Sequence, residues 1–378
     1  MKLSTFRYDS QAGWSQPFPP QLTENALVIA FGSAEFLTDQ SPIQTLRAAY
    51  PRAELVGCST AGEIHDEFVY DNSLAVALVQ MEASRVQVAT VAVNRDSDAK
   101  AAGQALIESL KASDLRGVFV LADGLSINGS DLIAGINSQL PPGVTVTGGL
   151  AGDGPHFKTT WVMHNDVISS GMITAVGFYG ERIVLDHGSQ GGWDIFGPER
   201  LVTRADGPIL YELDGKPALE LYKTYLGERA AELPAAALLF PLALRNDASD
   251  ESQIVRTILA IDEAQQSLTF AGNIPEGSRA QLMKANFDRL IDGALGAAEQ
   301  LDSQQACQGD KLAIAISCVG RRLVLGERTE EELEATLETL PAGTKQIGFY
   351  SYGELSPFGS GQCDLHNQTM TLTTISEV

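Results

Sequence analysis

Polar side chains able to hold a ligand are concentrated near the C-terminus of this sequence. The apolar residues around them predict the last strands of a sheet. The side chains concerned are two tyrosines, a carboxylate, a histidine and two amides: Tyr350, Tyr352, Glu354, His366, Asn367 and Gln368. Polar groups at this density, if buried, must either bond to one another or face a bound molecule. This segment is therefore the first candidate for a binding site.

Two of the five histidines are candidates for a cofactor ligand. His366 is accompanied by Tyr352, Asn367 and Gln368, whose hydrogen bonds could hold one tautomer of its ring. His187 lies in a glycine-rich segment, where missing side chains leave room for a large group. The histidines lack the paired spacing of a metal site, and the four cysteines lack the two-residue spacing of zinc or redox motifs. We therefore predict reduced, mostly buried thiols.

Two glycine-rich segments follow predicted strands, and their backbone could approach a ligand closely. The residues concerned are Gly57, Cys58, Ser59 and Thr60 in the first segment, and Gly148 and Gly149 in the second. Neither segment has the spacing of a nucleophile elbow, a phosphate loop or a dinucleotide fingerprint. Each is either a tight turn packed against a strand or a loop that faces a ligand. The spacing gives no strong support to a hydrolase that uses Ser59 or Cys58.

A pair of arginines follows a predicted buried strand near the C-terminus. Arg321 and Arg322 come shortly after Cys318, where that strand ends. The plain interpretation is a buried thiol followed by two exposed cations. The alternative is that an arginine bonds a carboxylate or propionate of a bound molecule.

Composition and charge exclude several classes of partner. The 378 residues are 44% hydrophobic and 20% charged, which describes a folded protein, and the length favours two domains. A formal net charge of -22 repels nucleic acid and anionic lipid. The first residues contain no secretory apolar run, and the longest apolar stretch, 235–244, is too short to span a bilayer. We therefore predict a cytoplasmic protein without a nucleic-acid or membrane partner.

Strands and helices alternate along the first half of the sequence. Residues 26–31 are continuously apolar, as in a strand buried on both faces. Ser41 and Pro42 then predict the start of a helix. The neighbouring strands 74–79 and 86–93 favour antiparallel pairing. The predicted sheet is therefore mixed.

The second half has the same character without an obvious sequence repeat. Residues 312–316 predict a buried strand, and Thr329 with Glu332 predicts a capping box at the start of a helix. The predicted fold class is α/β, of the α+β type, with two domains at 22–217 and 218–378. Each domain is a mixed β-sheet packed with helices, and a cleft lies between the two.

Taken together, these segments resemble the two FIST domains. Segments 57–64 and 148–153 resemble the N-terminal FIST domain. The C-terminal FIST domain is matched by 317–322, 348–354 and 366–369. The resemblance implies an intracellular signal-transduction sensor that binds a small ligand and has no established enzymatic reaction.

A narrower resemblance is to the bacterial NosP group of FIST proteins, which are haem-based nitric oxide sensors. It is carried by segments 187–193, 196–200 and 221–227. The group's activity implies a haem cofactor, nitric oxide as the ligand and a histidine kinase of a two-component system as the partner.

A haem site needs an apolar cleft, a neutral imidazole on the iron and cations near the propionates. The candidate iron ligand is His366, with His187 as the second choice. Arg321 and Arg322 are candidate propionate partners, and Tyr352 is a further cofactor-binding candidate. The alternative is a sensor without haem that binds a small metabolite such as an amino acid. A protein-interaction scaffold without a ligand leaves the glycine-rich loops unexplained.

Overall fold

The computed structural model of the chain describes residues 1–233, 235–245, 253–301, 310–358 and 361–378. Its architecture is α/β with mixed sheets in two domains, which confirms the predicted fold class. Within the described ranges, no helix is both long and apolar enough to cross a membrane. Cys58, Cys318 and Cys363 are buried, free thiols, whereas Cys307 lies outside the described residues.

Three units of one topology make up most of the chain. Each unit runs through an edge strand, an inner strand, a helical connection, a second strand, a hairpin and a third strand. The first unit spans residues 1–80, the second 85–179, and the third 183–190 together with 287–377. Residues 194–284 form an inserted domain that interrupts the third unit.

The helices and strands follow in chain order. The first unit contains β1 (Lys2–Asp9), β2 (Gly13–Trp14), β3 (Ala26–Gly32), α1 (Ser41–Ala49), β4 (Glu54–Ser59), β5 (Glu63–His65), β6 (Phe68–Tyr70) and β7 (Ser73–Gln80). The second unit contains β8 (Arg85–Ala92), α2 (Ala99–Leu110), β9 (Leu115–Ala122), α3 (Gly129–Gln139), β10 (Thr145–Leu150), β11 (Val162–His164), β12 (Val167–Ser169) and β13 (Met172–Tyr179).

The third unit begins with a single strand, and the inserted domain follows it. This part of the chain contains β14 (Ile183–Gln190), β15 (Asp194–Asp206), β16 (Ile209–Leu213), β17 (Lys216–Pro217), α4 (Ala218–Leu226), β18 (Leu242–Arg245), β19 (Ile254–Arg256), β20 (Ile258–Asp262), β21 (Ser267–Phe270) and β22 (Arg279–Lys284). The third unit then continues with α5 (Phe287–Glu299), β23 (Leu312–Cys318), α6 (Val319–Leu325), α7 (Thr329–Thr339), β24 (Lys345–Ser351), β25 (Gly353–Phe358), β26 (Gln362–His366) and β27 (Met370–Glu377).

Strand pairing is the same within each unit. The inner strand runs parallel to the second strand, in the pairs β3–β4, β9–β10 and β23–β24. It runs antiparallel to the third strand, in the pairs β3–β7, β9–β13 and β23–β27. The edge strands β1, β8 and β14 pair with those third strands. Each parallel pair is joined by a helical connection, because parallel neighbours cannot be linked by a tight turn.

The hairpins are exchanged between units. β5–β6 follows β4 in the chain but pairs with β24 of the third unit. β11–β12 follows β10 but pairs with β4, and β25–β26 follows β24 but pairs with β10. Each hairpin covers the open edge of another unit, and the three exchanges close a ring. The N-terminal and C-terminal domains thus share sheets, and the predicted boundary at residues 217 and 218 lies inside the inserted domain, between β17 and α4.

The inner faces of the three sheets share one apolar core. Phe31 of β3, Phe119 of β9 and Phe349 of β24 are fully buried in it. The rings of Phe31 and Phe349 lie 4.7 Å apart, within aromatic contact. Residues of α1, α2, α3, α5 and α7 pack in the cores on the outer faces of the sheets. The inner strands are therefore buried on both faces, which explains their continuous apolar runs.

A buried ion pair fixes the helices of the third unit. The side chains of Arg321 and Glu332 are both fully buried, and Arg321 Nη2 lies 2.6 Å from Glu332 Oε2. Arg321 also donates to the backbone carbonyls of Gly191 and Leu290, and Glu332 accepts from the hydroxyls of Ser317 and Tyr350. The capping-box prediction for Glu332 is therefore wrong, because its carboxylate is turned inward to neutralise a buried cation.

Removing one member of this pair is expected to be strongly destabilising. Arg321→Ala leaves the Glu332 carboxylate buried without its counter-ion, and the expected loss is about 3–5 kcal/mol of unfolding free energy. Urea denaturation of purified protein measures it. The matched control is Arg52→Ala, which breaks the exposed pair of Arg52 and Glu24 and should change little. Equal stabilities of the two variants would contradict the structural role of Arg321.

Candidate functional site

The loops that follow β4, β10 and β24 meet at one end of the shared core. Each of these loops donates a backbone hydrogen bond to the strand end or loop of another unit. These bonds run from Ala61 N–H to the Tyr350 carbonyl at 2.8 Å, from Gly152 N–H to the Ser59 carbonyl at 3.1 Å, and from Tyr352 N–H to the Leu150 carbonyl at 3.1 Å. All three units therefore contribute to a closed ring of loops.

A polar cleft of about 1100 Å³ lies next to this ring. It is bordered by loops of the first unit, by α6 of the third unit and by residues 153–159 of the second. Its described lining contains six carboxylates, two basic side chains and one imidazole: Glu35, Glu63, Asp71, Asp153, Glu327, Glu330, Lys158, Arg322 and His156. The cleft can therefore offer both signs of charge to one ligand.

Arg322 links the third unit to the first at this cleft. Its guanidinium donates to the two carboxylate oxygens of Asp71 at 2.9 and 2.7 Å and to the Ala61 carbonyl at 2.5 Å. Gly62 makes room for it, because a Cβ at that position would lie 2.4 Å from Arg322 Nη1 and the φ there is +134°. The Arg322 side chain is 24% exposed and lines the cleft, so it can also reach a ligand carboxylate.

Glu63 is a buried carboxyl group in the wall of the cleft. Its two oxygens accept hydrogen bonds from the Thr60 hydroxyl and from the backbone N–H and hydroxyl of Ser73. Burial raises the pKa of Glu63 from 4.5 to about 8, although these hydrogen bonds favour the ionised form. Glu63 is therefore largely protonated at neutral pH.

Glu354 of the third unit occupies the equivalent position in its own loop. It accepts from the Ser351 hydroxyl at 2.5 Å and from the backbone N–H and hydroxyl of Thr369 at 3.3 and 3.0 Å. Burial raises the pKa of Glu354 to about 8 as well. The first and third units thus repeat one arrangement, in which a loop carboxyl group is held by a hydroxyl of its own loop and by the start of the third strand.

Asp153 shapes the wall that the second unit contributes. Its carboxylate accepts backbone N–H bonds from Phe157, Lys158 and Thr159, each at 2.8 Å, and a bond from the Tyr352 hydroxyl. Phe157 adopts a left-handed φ of +52°, and its ring stacks on Tyr352 with centroids 4.4 Å apart. The Asp153 carboxylate is used to hold this turn in place.

The two histidines predicted as iron ligands do not line the cleft. His366 ends β26 and is 3% exposed, and its Nε2 lies 3.1 Å from the Ser356 carbonyl oxygen. Burial lowers the pKa of His366 to about 4, so its ring is neutral. His187 lies on β14, in a different sheet, and burial lowers its pKa too. His156 lines the cleft instead.

The residues predicted to hold haem are not assembled into one pocket. Arg321 is fully buried, bonds Glu332 and two backbone carbonyl groups, and does not line the cleft, so its guanidinium cannot face a propionate there. Arg322 lines the cleft, but His366 and His187 do not. These residues, in their present positions, do not fit a haem group.

The glycine-rich segments serve mainly to pack strands closely. A Cβ at Gly57 would lie 1.9 Å from the Ala30 carbonyl oxygen, and one at Gly148 would lie 1.9 Å from the Val120 carbonyl oxygen. A Cβ at Gly149 would lie 2.9 Å from the Cγ2 methyl carbon of Ile316 in the third unit. These glycines allow close packing between neighbouring strands and sheets.

Of the three residues that follow Gly57, Cys58 and Ser59 are buried in the protein and Thr60 lines the cleft. Cys58 is fully buried, and burial raises the pKa of its thiol well above the ordinary value. Ser59 accepts a hydrogen bond from the Trp161 N–H at 3.0 Å. Thr60 lines the cleft, whereas Ser59 does not.

The tyrosine hydroxyls and the carboxyl group of the polar C-terminal segment are hydrogen-bonded within the protein, whereas its two amide groups are not, in the part of the chain that the structure describes. Tyr350 donates to Glu332, Tyr352 to Asp153, and Glu354 accepts from Thr369. The amide groups of Asn367 and Gln368 are buried and have no hydrogen-bond partner among the described residues.

Sequence reasoning missed several residues that line the cleft: Asp71, His156 and Lys158. A usable signal was present in the loops themselves. Segments 57–63, 148–153 and 348–354 each begin with a glycine in the last residues of a strand and finish with a glycine followed by an acidic residue. Recognising this as a threefold repeat would have placed all three loops together.

Replacing Glu63 is expected to change how stability depends on pH. The folded protein holds a proton on Glu63 up to about pH 8, whereas the unfolded chain releases it near pH 4.5. Stability from this group is therefore fully present below pH 4.5 and is lost as the pH rises towards 8. The Glu63→Gln variant should lose less unfolding free energy than the wild type between these limits. Urea denaturation across that range measures the difference, and identical pH profiles would contradict a raised pKa.

Comparison with known proteins identifies the family. Residues 26–216 match the FIST N domain and residues 218–357 match the FIST C domain. An uncharacterised protein of Mycobacterium tuberculosis is 26% identical over 361 residues, covering 92% of this chain and 90% of its own length. An uncharacterised protein of Methanocaldococcus jannaschii is 23% identical over 346 residues, covering 80% of this chain and 64% of its own length. The chain therefore belongs to the FIST family, whose domains are signal-transduction sensors.

Proposed function

We propose that this protein senses a small polar metabolite that binds in the 1100 Å³ cleft, and that the ligand is a zwitterion such as an amino acid. The observation that carries the proposal is the lining of the cleft, which brings two basic side chains and several carboxylates from three units into one cavity. Ligand sites commonly use a few convergent polar groups in a concave surface. The volume is ample for a small metabolite with its hydration water.

Charge complementarity supports a zwitterionic ligand. Arg322 and Lys158 can receive the carboxylate of the ligand, since a guanidinium offers paired donors and an ammonium a compact charge. Glu327 and Glu330 lie in the same lining and can receive its ammonium group. A purely anionic ligand would meet five carboxylates besides the protonated Glu63, and a purely cationic one would meet Arg322 and Lys158.

The position of the cleft suits a sensor. Because the cleft is bordered by all three units, a bound ligand contacts loops that belong to both FIST domains. A ligand can shift a conformational equilibrium only if it binds one state better than the other. A ligand that contacts loops of different units binds best when those loops are close together, so its affinity differs between the two states. The output would pass to a separate signalling protein, such as a histidine kinase.

A screen of the twenty amino acids tests the proposal. We expect at least one to raise the thermal unfolding midpoint and to bind saturably at one site in calorimetry. Lys158→Gln should weaken that binding about tenfold, because it removes one charged partner of the carboxylate. The matched control is Lys100→Gln, which changes an exposed lysine of α2 that does not line the cleft. The absence of saturable binding, or equal loss in both variants, would refute the proposal.

Haem for nitric oxide sensing is the second candidate ligand. The size of the cleft, His156 and the two basic side chains favour it, whereas the acidic lining and the positions of His366 and His187 outside the cleft do not. An absorption titration of the reduced protein with haem distinguishes the candidates. We expect weak binding without saturation. A saturable one-to-one Soret band that shifts with nitric oxide would favour the haem proposal instead.

A further inference from the structure

A second cavity, of about 390 Å³, lies between the second unit and the inserted domain. Its described lining contains no carboxylate and one charged side chain, Arg95. This composition differs from that of the polar cleft and is unusual in a chain with 48 acidic residues. The lining thus combines apolar surface with one cation.

The walls of this cavity are aromatic and aliphatic. Phe157 and Tyr352, which stack on each other, form one side, and Leu259 and Phe270 of the inserted domain contribute to another. Phe157 is 44% exposed and Leu259 is 45% exposed. A ligand in the cavity would remove part of this apolar surface from water, which favours binding.

Arg95 is available to a ligand. It is exposed and makes no hydrogen bond or ion pair with any residue that the structure describes. Asn128 and Gly129, at the N-terminus of α3, line the same cavity, but the Asn128 side chain caps the Ser130 and Asp131 N–H groups and Asp131 is acidic, so Arg95 is the group that attracts an anion. An anionic group is therefore favoured at this position despite the net negative charge of the chain.

We propose that this cavity is a second ligand site, which takes a hydrophobic carboxylate such as an aryl or short alkyl acid. The apolar part contacts Phe157, Leu259 and Phe270, and the carboxylate contacts Arg95. A volume of about 390 Å³ lies within the range of small-molecule pockets. The site does not depend on the ligand of the polar cleft, from which the turn containing Phe157 separates it.

Calorimetry of the full chain with phenylacetate, hexanoate and phenylacetamide tests this assignment. We expect saturable one-to-one binding of phenylacetate and weaker binding of phenylacetamide, its neutral analogue. Arg95→Gln should weaken phenylacetate binding about tenfold and leave phenylacetamide binding unchanged, because only the carboxylate interacts with the cation. Arg116→Gln, at an exposed arginine of β9 outside this cavity, is the matched control and should change neither.

A second variant tests the apolar wall. Leu259→Asp replaces an exposed apolar side chain by a charge and should weaken the binding of both phenylacetate and phenylacetamide. Arg95 and Leu259 are both exposed, so the Arg95→Gln and Leu259→Asp variants should still fold. Circular dichroism can verify this. The proposal is overturned if neither acid binds saturably, or if Arg95→Gln and Arg116→Gln bind phenylacetate equally well.

Discussion

Backbone pairing between the three units is the interaction on which the rest of the structure depends. β4, β10 and β24 each have an edge that their own unit leaves open, and a hairpin from another unit pairs with it. An unpaired edge leaves N–H and carbonyl groups without partners, so no unit completes its sheet alone. The same exchange brings the three loops into contact, as the bonds from Ala61 to Tyr350 and from Gly152 to Ser59 show. The cleft is a consequence of this ring.

The surroundings of Glu63 in the first unit and of Glu354 in the third unit differ in how much space the side chains fill. Glu63 and Glu354 accept matching hydrogen bonds, yet Glu63 lines the polar cleft and Glu354 does not. Next to Glu354, the buried Gln368 side chain packs so closely on Gly320 that a Cβ there would lie 2.4 Å from it. Asn72, which precedes Ser73 as Gln368 precedes Thr369, is exposed instead and lines the open cleft. A ligand site can arise in this way from a repeated architecture.

Much of the fold could be predicted because buried strands carry a local signal. The apolar runs at 26–31 and 312–316 correspond to β3 and β23, and the glycine-rich segments do end strands. The hairpin exchange had no such signal, since β5 and β24 lie far apart in the chain and their pairing leaves no local periodicity. The threefold repeat did leave a signal, in the loop segments 57–63, 148–153 and 348–354, but that pattern is only a few residues long and was not recognised as a repeat.

Local sequence determined the strands, the loops and the family of this protein, whereas the tertiary structure decided which polar side chains face a cavity. Arg321 and Arg322 are neighbours, but consecutive helical residues point about 100° apart, so one is buried against Glu332 and the other lines the cleft. His366 is enclosed and His156 borders the cleft. Backbone conformation follows from nearby residues, but burial depends on contacts between segments that are distant in the chain.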